Sequence, residues 1–360
     1  MEKFAFMLHA LDVGDVARKY PIARYFPDAV VEKVLSYMPP VVTSRITGVR
    51  SPYAEAEGWF VGCTLTTRQF LTLPTPFVLQ KIIRTGKLAE RLGARILGLG
   101  AYTSIVGDAG ITVARNLNIA VTTGNSYTVA TALEGTREAA RFMGHLPETA
   151  EFAVVGATGS IGAACAIILA REVRSLTLIG RNTEKLNRLA RRVTAETGLA
   201  PRVTTDLKGA LPRMDVIITV SSAAEAIIEA MDLKPGAVVC DVARPRDVSR
   251  RVAEERDDVL VIEGGVVEVP GPVDFHLNFG FPPRTAMACM AETMILALEG
   301  RYENFTLGRD ITVEQVDEIS RLARKHGFRL AGLRSFERAL TENELQEVRR
   351  RAREKLGLLS

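Results

Sequence analysis

The stretch Phe152-Ala-Val-Val-Gly-Ala-Thr-Gly-Ser-Ile-Gly162 constrains this chain more than any other. A short apolar run ends in a turn with glycine at Gly156, Gly159 and Gly162, and Ala163 to Arg171 continues as an apolar, helix-forming segment. Glycine spacing alone is weak; a strand before it and a helix after it give it a mechanical meaning. The unpaired N–H groups and the dipole at such a helix start favour anions, so the turn predicts a seat for a dinucleotide pyrophosphate. The motif begins only after more than 150 residues, so a sizeable segment precedes it and needs its own explanation.

The residues beyond the turn agree with it. Across residues 148 to about 265, short apolar runs at 176–179, 216–220, 237–240 and 259–262 alternate with helical stretches, the first at about 183–197. That alternation predicts a doubly wound parallel sheet of the Rossmann type. The end of its second strand selects the cofactor: Asp or Glu there suits the ribose hydroxyl of NAD, Arg the 2′-phosphate of NADP. This chain has Ile179-Gly-Arg181-Asn182 and no acid, which favours NADPH with Arg181 on the phosphate. Thr158, Ser160, Ile161, Asn182 and, at the end of the fourth strand, Val220 complete the candidate cofactor set. None of the seven tyrosines has lysine four residues later, which argues against the short-chain class of nicotinamide enzymes.

The flanks are different. Residues 1–145 look mixed α/β, with strands at 41–49, 57–65, 95–99 and 118–123, a helix over 77–92, and a linker at Gly144-His-Leu-Pro147. Residues 146–275 form the nucleotide domain, and 276–360 form a helical segment. Within that segment Arg284 to Leu298 reads as one helix, and Thr312-x-x-Gln315 and Thr341-x-x-Glu344 fit capping boxes. The basic run 349–355 reads as a solvated helix face. A formal charge of +4 over 360 residues gives no warrant for a nucleic-acid partner. No apolar run reaches the roughly 18 residues of a membrane span, and the start lacks a signal-peptide pattern, so a cytoplasmic enzyme is expected. The four cysteines and four histidines are scattered, so no metal site is expected.

Candidates for chemistry are few. Ser104 and Asn125 follow strands, where hydroxyl and amide groups serve either as turn and cap chemistry or as cleft donors. Cys289 lies in the apolar Thr285-Ala-Met-Ala-Cys-Met-Ala-Glu292, which taken alone reads as core. Placed two turns into a helix, its thiol would gain little from the dipole.

Several segments taken together resemble one family. In chain order they are the Ser104-Ile105 pair, Thr122-Thr-Gly-Asn125, the glycine turn, Gly264-Gly-Val-Val-Glu268, Ala288-Cys-Met-Ala-Glu292, Asn304-Phe-Thr-x-Gly-Arg309 and Lys325-His-Gly-Phe328. The set, spanning roughly residues 4–330, is similar to the long-chain acyl–acyl-carrier-protein reductases best known from cyanobacteria. The resemblance implies NADPH-dependent reduction of a fatty acyl thioester to an aldehyde, on acyl carrier protein or coenzyme A. It implies Cys289 as the acyl-accepting nucleophile, returning to the cleft, with Ser104 and Asn125 as nearby donors and residues 1–145 as the acyl-substrate domain. It leaves room for an aldehyde-consuming partner enzyme. An NAD(P)-dependent dehydrogenase of an amino or hydroxy acid, without a covalent step, is the competing expectation; a nucleotide-sensing module is a third. The chain departs from the family pattern at Val106–Gly110, Ser221–Ala224 and Asp241–Pro245, and runs about thirty residues further into its basic tail.

Overall fold

A computed structural model describes residues 1–223, 225–243, 245–278 and 280–358; Ala224 and Arg244, within two of the divergent loops, lie outside the described residues. The sheet strands are β1 (Glu2–Ala10), β2 (Val41–Arg50), β3 (Glu55–Thr66), β4 (Ile96–Leu99), β5 (Ala120–Thr122), β6 (Glu151–Val155), β7 (Ser175–Ile179), β8 (Arg202–Thr204), β9 (Val216–Thr219), β10 (Val238–Asp241) and β11 (Leu260–Glu263). The longer helices are α1 (Asp28–Tyr37), α2 (Thr75–Arg91), α3 (Asn125–Met143), α4 (Ser160–Leu169), α5 (Thr183–Thr197), α6 (Ala288–Leu298), α7 (Val313–His326) and α8 (Glu342–Lys355).

The chain divides into two compact units, each drawn from several segments. The first holds residues 1–124, 268–309 and 319–329; the second holds 125–267, 310–318 and 330–360. The division falls at Gly124, twenty residues before the Gly144–Pro147 stretch. The physical reason is α3, which packs on β10, β11 and α4 and so joins the nucleotide sheet.

The first unit is built on a five-stranded sheet in the order β2-β3-β1-β4-β5. Strands β3, β1, β4 and β5 run parallel, and β2 closes one edge antiparallel to β3. Its centre is β1, whose Phe4, Ala5, Phe6 and Met7 are all buried. The helix α6 packs against β1 and β4; it is mostly apolar and, Cys289 apart, buried along its whole length, as a helix enclosed in a core is. Around α1, Val13, Ala17, Ala23, Val31 and Leu35 make a small separate core. The opposite face leaves Ile22, Tyr25, Val30, Val34 and Tyr37 exposed.

The second unit carries the expected parallel sheet, six strands in the order β11-β10-β9-β6-β7-β8. Order reverses between β6 and β9, and ligands bind outside the carboxyl ends of the strands at such a switch point. The core alternates small and branched residues: Ala153, Val155, Ile217 and Val239 pack with Leu211, Ile228 and Leu233. Both predicted capping boxes form: Thr312 with Gln315, and Thr341 with Glu344. Arg350, Arg351 and Lys355 of the basic run of α8 are exposed and paired, with Arg350 and Arg351 on Glu347 and Lys355 on Asp257.

Candidate active site

The glycine turn has the geometry the motif requires. Gly156 sits at φ +74, and a Cβ there would fall 2.7 Å from the carbonyl oxygen of Val220. A Cβ on Gly162 would fall 2.5 Å from the carbonyl oxygen of Gly156, so only glycine lets α4 start this close to the strand. Gly159 is the N-cap of α4 and offers no side chain to its first turn. The amides of Ser160, Ile161 and Gly162 therefore begin a helix with no intrahelical acceptor, as an anion site needs. Thr158 lies beside the second strand end, its Cγ2 3.8 Å from where a Cβ on Gly180 would be. Arg181 follows β7 and is exposed. Asn182 is occupied locally: its Oδ1 accepts from the Lys185 N–H at 2.9 Å and caps α5.

Two buried carboxylates that the sequence does not single out shape the far side of this turn. Asp247 accepts from Thr219 Oγ1 at 2.5 Å and from the Ser221 N–H at 2.8 Å. Asp241 accepts from the Ala243 N–H at 3.0 Å and the Val248 N–H at 3.1 Å. Together they fix the loops that leave β9 and β10, including Val220 against Gly156. Nothing in the local sequence around Asp247 signals this role.

In the first unit, four separate segments interlock around Cys289. The expected helix over 284–298 is corrected: Thr285–Met287 is a strand, Met287 is the N-cap, and α6 begins at Ala288. The extended residues before Ala288 move the helix start forward, so Cys289 lies in the first turn, where the dipole acts most strongly. It is partly exposed, whereas Cys63, Cys165 and Cys240 are buried. The backbone of Gly124, at φ +75, lies directly on Cys289. One turn on, Glu292 is fully buried and accepts from Thr122 Oγ1 and, at 3.0 Å, from Thr306 Oγ1. Thr306 holds φ +42, an outlier for a β-branched residue that this bond helps retain. Thr123 Oγ1 donates to the Thr306 carbonyl at 2.5 Å, and Asn304 Oδ1 accepts from the Val121 N–H at 2.9 Å.

The segment after β4 joins the same cluster. Gly308 N–H donates to the Ala109 carbonyl at 2.9 Å. A Cβ on Gly110 would sit between Leu307, Leu99 and Thr123. Ser104 thus follows β4, and Cys289 packs on Gly124, which follows the neighbouring strand β5. The Ser104 hydroxyl is buried and donates to the Ala101 carbonyl at 2.6 Å. Asn125 is the first residue of α3 and is buried. The Lys325–Phe328 segment lies elsewhere in this unit, with His326 bridging Ser51 Oγ and Glu299. Two cavities of ≈ 160 Å³ and ≈ 460 Å³ flank α2; neither is lined by Cys289 or Ser104. Among the described residues, no helix is long and apolar enough to cross a membrane, and no group of three His, Cys, Asp or Glu side chains could hold a metal ion.

The chain is similar to several known proteins. The shikimate/quinate 5-dehydrogenase family profile fits residues 138–263. The long-chain acyl-[acyl-carrier-protein] reductase of Synechococcus elongatus is 30% identical over 334 residues, 87% of this chain and 94% of its own length. A Serratia protein named aminotransferase PigE is 35% identical over 266 residues, 72% of this chain, which spans 30% of that protein's length. Among solved structures, shikimate 5-dehydrogenase from Listeria monocytogenes aligns over 89% of this chain and 96% of its own, at TM-score 0.38 and 11% identity. The reductase relative and the dehydrogenase profile, together with the parallel sheet and its glycine turn, make the chain an oxidoreductase of the nicotinamide-dinucleotide-binding Rossmann type. More narrowly, the chain belongs to the family of the Synechococcus acyl-[acyl-carrier-protein] reductase.

Proposed function

We propose that this chain reduces a fatty acyl thioester, presented on acyl carrier protein or coenzyme A, to the aldehyde with NADPH through an acyl-enzyme on Cys289. The observation that carries the reading is the partly exposed Cys289 in the first turn of α6, inside the cluster built from four of the family's segments. A thiol there is favoured as thiolate by the helix start. Its sulfur attacks the thioester carbonyl, the carrier thiolate leaves and takes up a proton, and the acyl group remains on Sγ as a new thioester.

Ser104 and Asn125 are the proposed donors to the oxyanion that forms during attack. For Ser104 this requires its hydroxyl to turn away from Ala101. The glycine turn would hold the pyrophosphate on the amides of Ser160 to Gly162, with Arg181 on the 2′-phosphate. When bound, the reduced nicotinamide supplies the hydride that converts the acyl-enzyme to the aldehyde level. Cys289 then leaves as thiolate, ready for another acyl group.

The shikimate/quinate dehydrogenase match supports the nucleotide part of this reading only, because Cys289 lies beyond residues 138–263. The test is intact-mass analysis after incubation with long-chain acyl thioesters. An adduct of acyl mass on the native chain, absent from Cys289→Ala together with aldehyde formation, is expected. Full turnover by Cys289→Ala would overturn the covalent route and favour a dehydrogenase of an amino or hydroxy acid.

A further inference from the structure

The C-terminal segment that extends past the family resemblance holds a two-residue hairpin turn with an unusual composition. Strands Arg334–Ser335 and Arg338–Ala339 pair antiparallel, and Phe336 and Glu337 between them take φ +47 and φ +71. Such turns favour Asn and Gly because both central residues are left-handed. Two bulky residues there are strained and persist only where surrounding contacts hold them.

The contacts are specific and lie in the nucleotide unit. The Glu337 N–H donates to Glu263 Oε1 at 2.9 Å, at the carboxyl end of β11. Arg246 pairs with the buried Glu263 and, at 3.2 Å, with Glu337. Its guanidinium stands 5.2 Å from the Phe336 ring centre. Phe336 also packs on the apolar core beneath β9, β10 and β11.

Arg246 is followed at once by Asp247, the buried acid that fixes Thr219 and Ser221. Ser221 and Val220 form the wall against which Gly156 is seated, with the Ser221 Cα 2.9 Å from a Cβ built there. An unbroken series of contacts thus runs from the hairpin to the glycine turn. It enters through β9–β11, the half of a doubly wound sheet that faces the second mononucleotide, away from the adenosine half on β6–β8.

We propose that Phe336 and Glu337 are positioning residues for the dinucleotide: the hairpin turn holds Arg246, and through Asp247 it sets the Val220–Ser221 edge for the nicotinamide half. The proposal rests on the nicotinamide-dinucleotide reading of the glycine turn. Its test is calorimetric titration of the full chain with NADPH and, separately, with ADP, which lacks the nicotinamide half. Glu337→Ala should weaken NADPH about fivefold or more, a coupling of ordinary size, while ADP binding stays within about twofold. Glu337→Gln, which keeps the side-chain length but not the charge that pairs with Arg246, should fall between Glu337→Ala and the native chain. Unchanged NADPH binding in Glu337→Ala overturns the proposal, and so does an equal loss for NADPH and ADP, which would mark a general structural role. A native chain that binds neither nucleotide overturns the cofactor reading and this proposal with it.

Discussion

Gly124 and Cys289 occupy a space that admits no further side chain: a Cβ built on Gly124 would lie 2.3 Å from the Cα of Cys289 and 2.4 Å from its Cβ. The glycine also holds φ +75, which penalises any replacement on conformational grounds. Both features sit two residues after β5, in a segment pinned by Thr122 and Thr123.

Gly124→Ala is therefore expected to displace the first turn of α6. Overpacking should cost about 1–3 kcal/mol of stability. On the proposed acyl-enzyme route, a shift of the Cys289 sulfur by an ångström should cost about a hundredfold in turnover. Thermal unfolding and aldehyde formation measured on the same preparation check both. Native activity in a folded Gly124→Ala protein would dissociate this contact from catalysis.

Selective alkylation should single out Cys289. Burial pushes the Cys63 thiol up to about 12 and the Cys165 thiol higher still, and Cys240 is buried with its Sγ 3.7 Å from the Ala132 carbonyl oxygen. Iodoacetamide at neutral pH should modify one of the four cysteines in the native chain and all four in denaturant. Peptide mapping reads the result; rapid native labelling at Cys63 would contradict the burial argument.

Arg181→Ala should separate the two nicotinamide cofactors. The exposed guanidinium follows β7, the strand end that in doubly wound nucleotide sheets generally meets the adenosine ribose. Loss of a charge-assisted contact predicts about tenfold or more weaker binding of NADPH, with NADH little changed. Equal losses for both would remove Arg181 from the 2′-phosphate.

Acid should loosen α8 through Glu344. Its carboxylate accepts from the Thr341 N–H and hydroxyl, each at 2.8 Å, and pairs with Arg338 at 2.6 Å. The backbone hydrogen bond first, then the hydroxyl and Arg338, lower its pKa from 4.5 to about 2. A carboxyl depressed on folding contributes stability above its unfolded pKa and loses it as pH falls through the folded value. The Glu344 contribution is thus whole above pH 4.5 and fades towards pH 2. Glu344→Gln should flatten the acid limb of the stability profile in that window, as followed by denaturant unfolding at each pH.

The nucleotide sheet is legible in the sequence and the other unit only unevenly so. Val154, Val155, Ile217 and Ile218 lie in short β-branched runs bounded by turns, which is what a buried parallel strand looks like. The central strand β1 is not legible because Phe-Ala-Phe-Met-Leu carries no β-branched residue and suits a helix equally. Cys289 reads as two turns deep because Thr285-Ala-Met is helical by composition, while the neighbours that hold it extended come from elsewhere in the chain. The Glu292–Thr122–Thr306 cluster joins positions up to 184 residues apart, and no local pattern encodes such a meeting.

The way the first unit is assembled bears on how the chain is made. Its sheet is laid down by residue 124, but α6, which covers β1 and β4, ends at Leu298. A chain emerging from the ribosome in order leaves that apolar sheet face bare until some 170 further residues have been synthesised. The burden on chaperones should therefore fall on the sheet that supports Cys289, and a nascent chain stalled before residue 288 should aggregate through it.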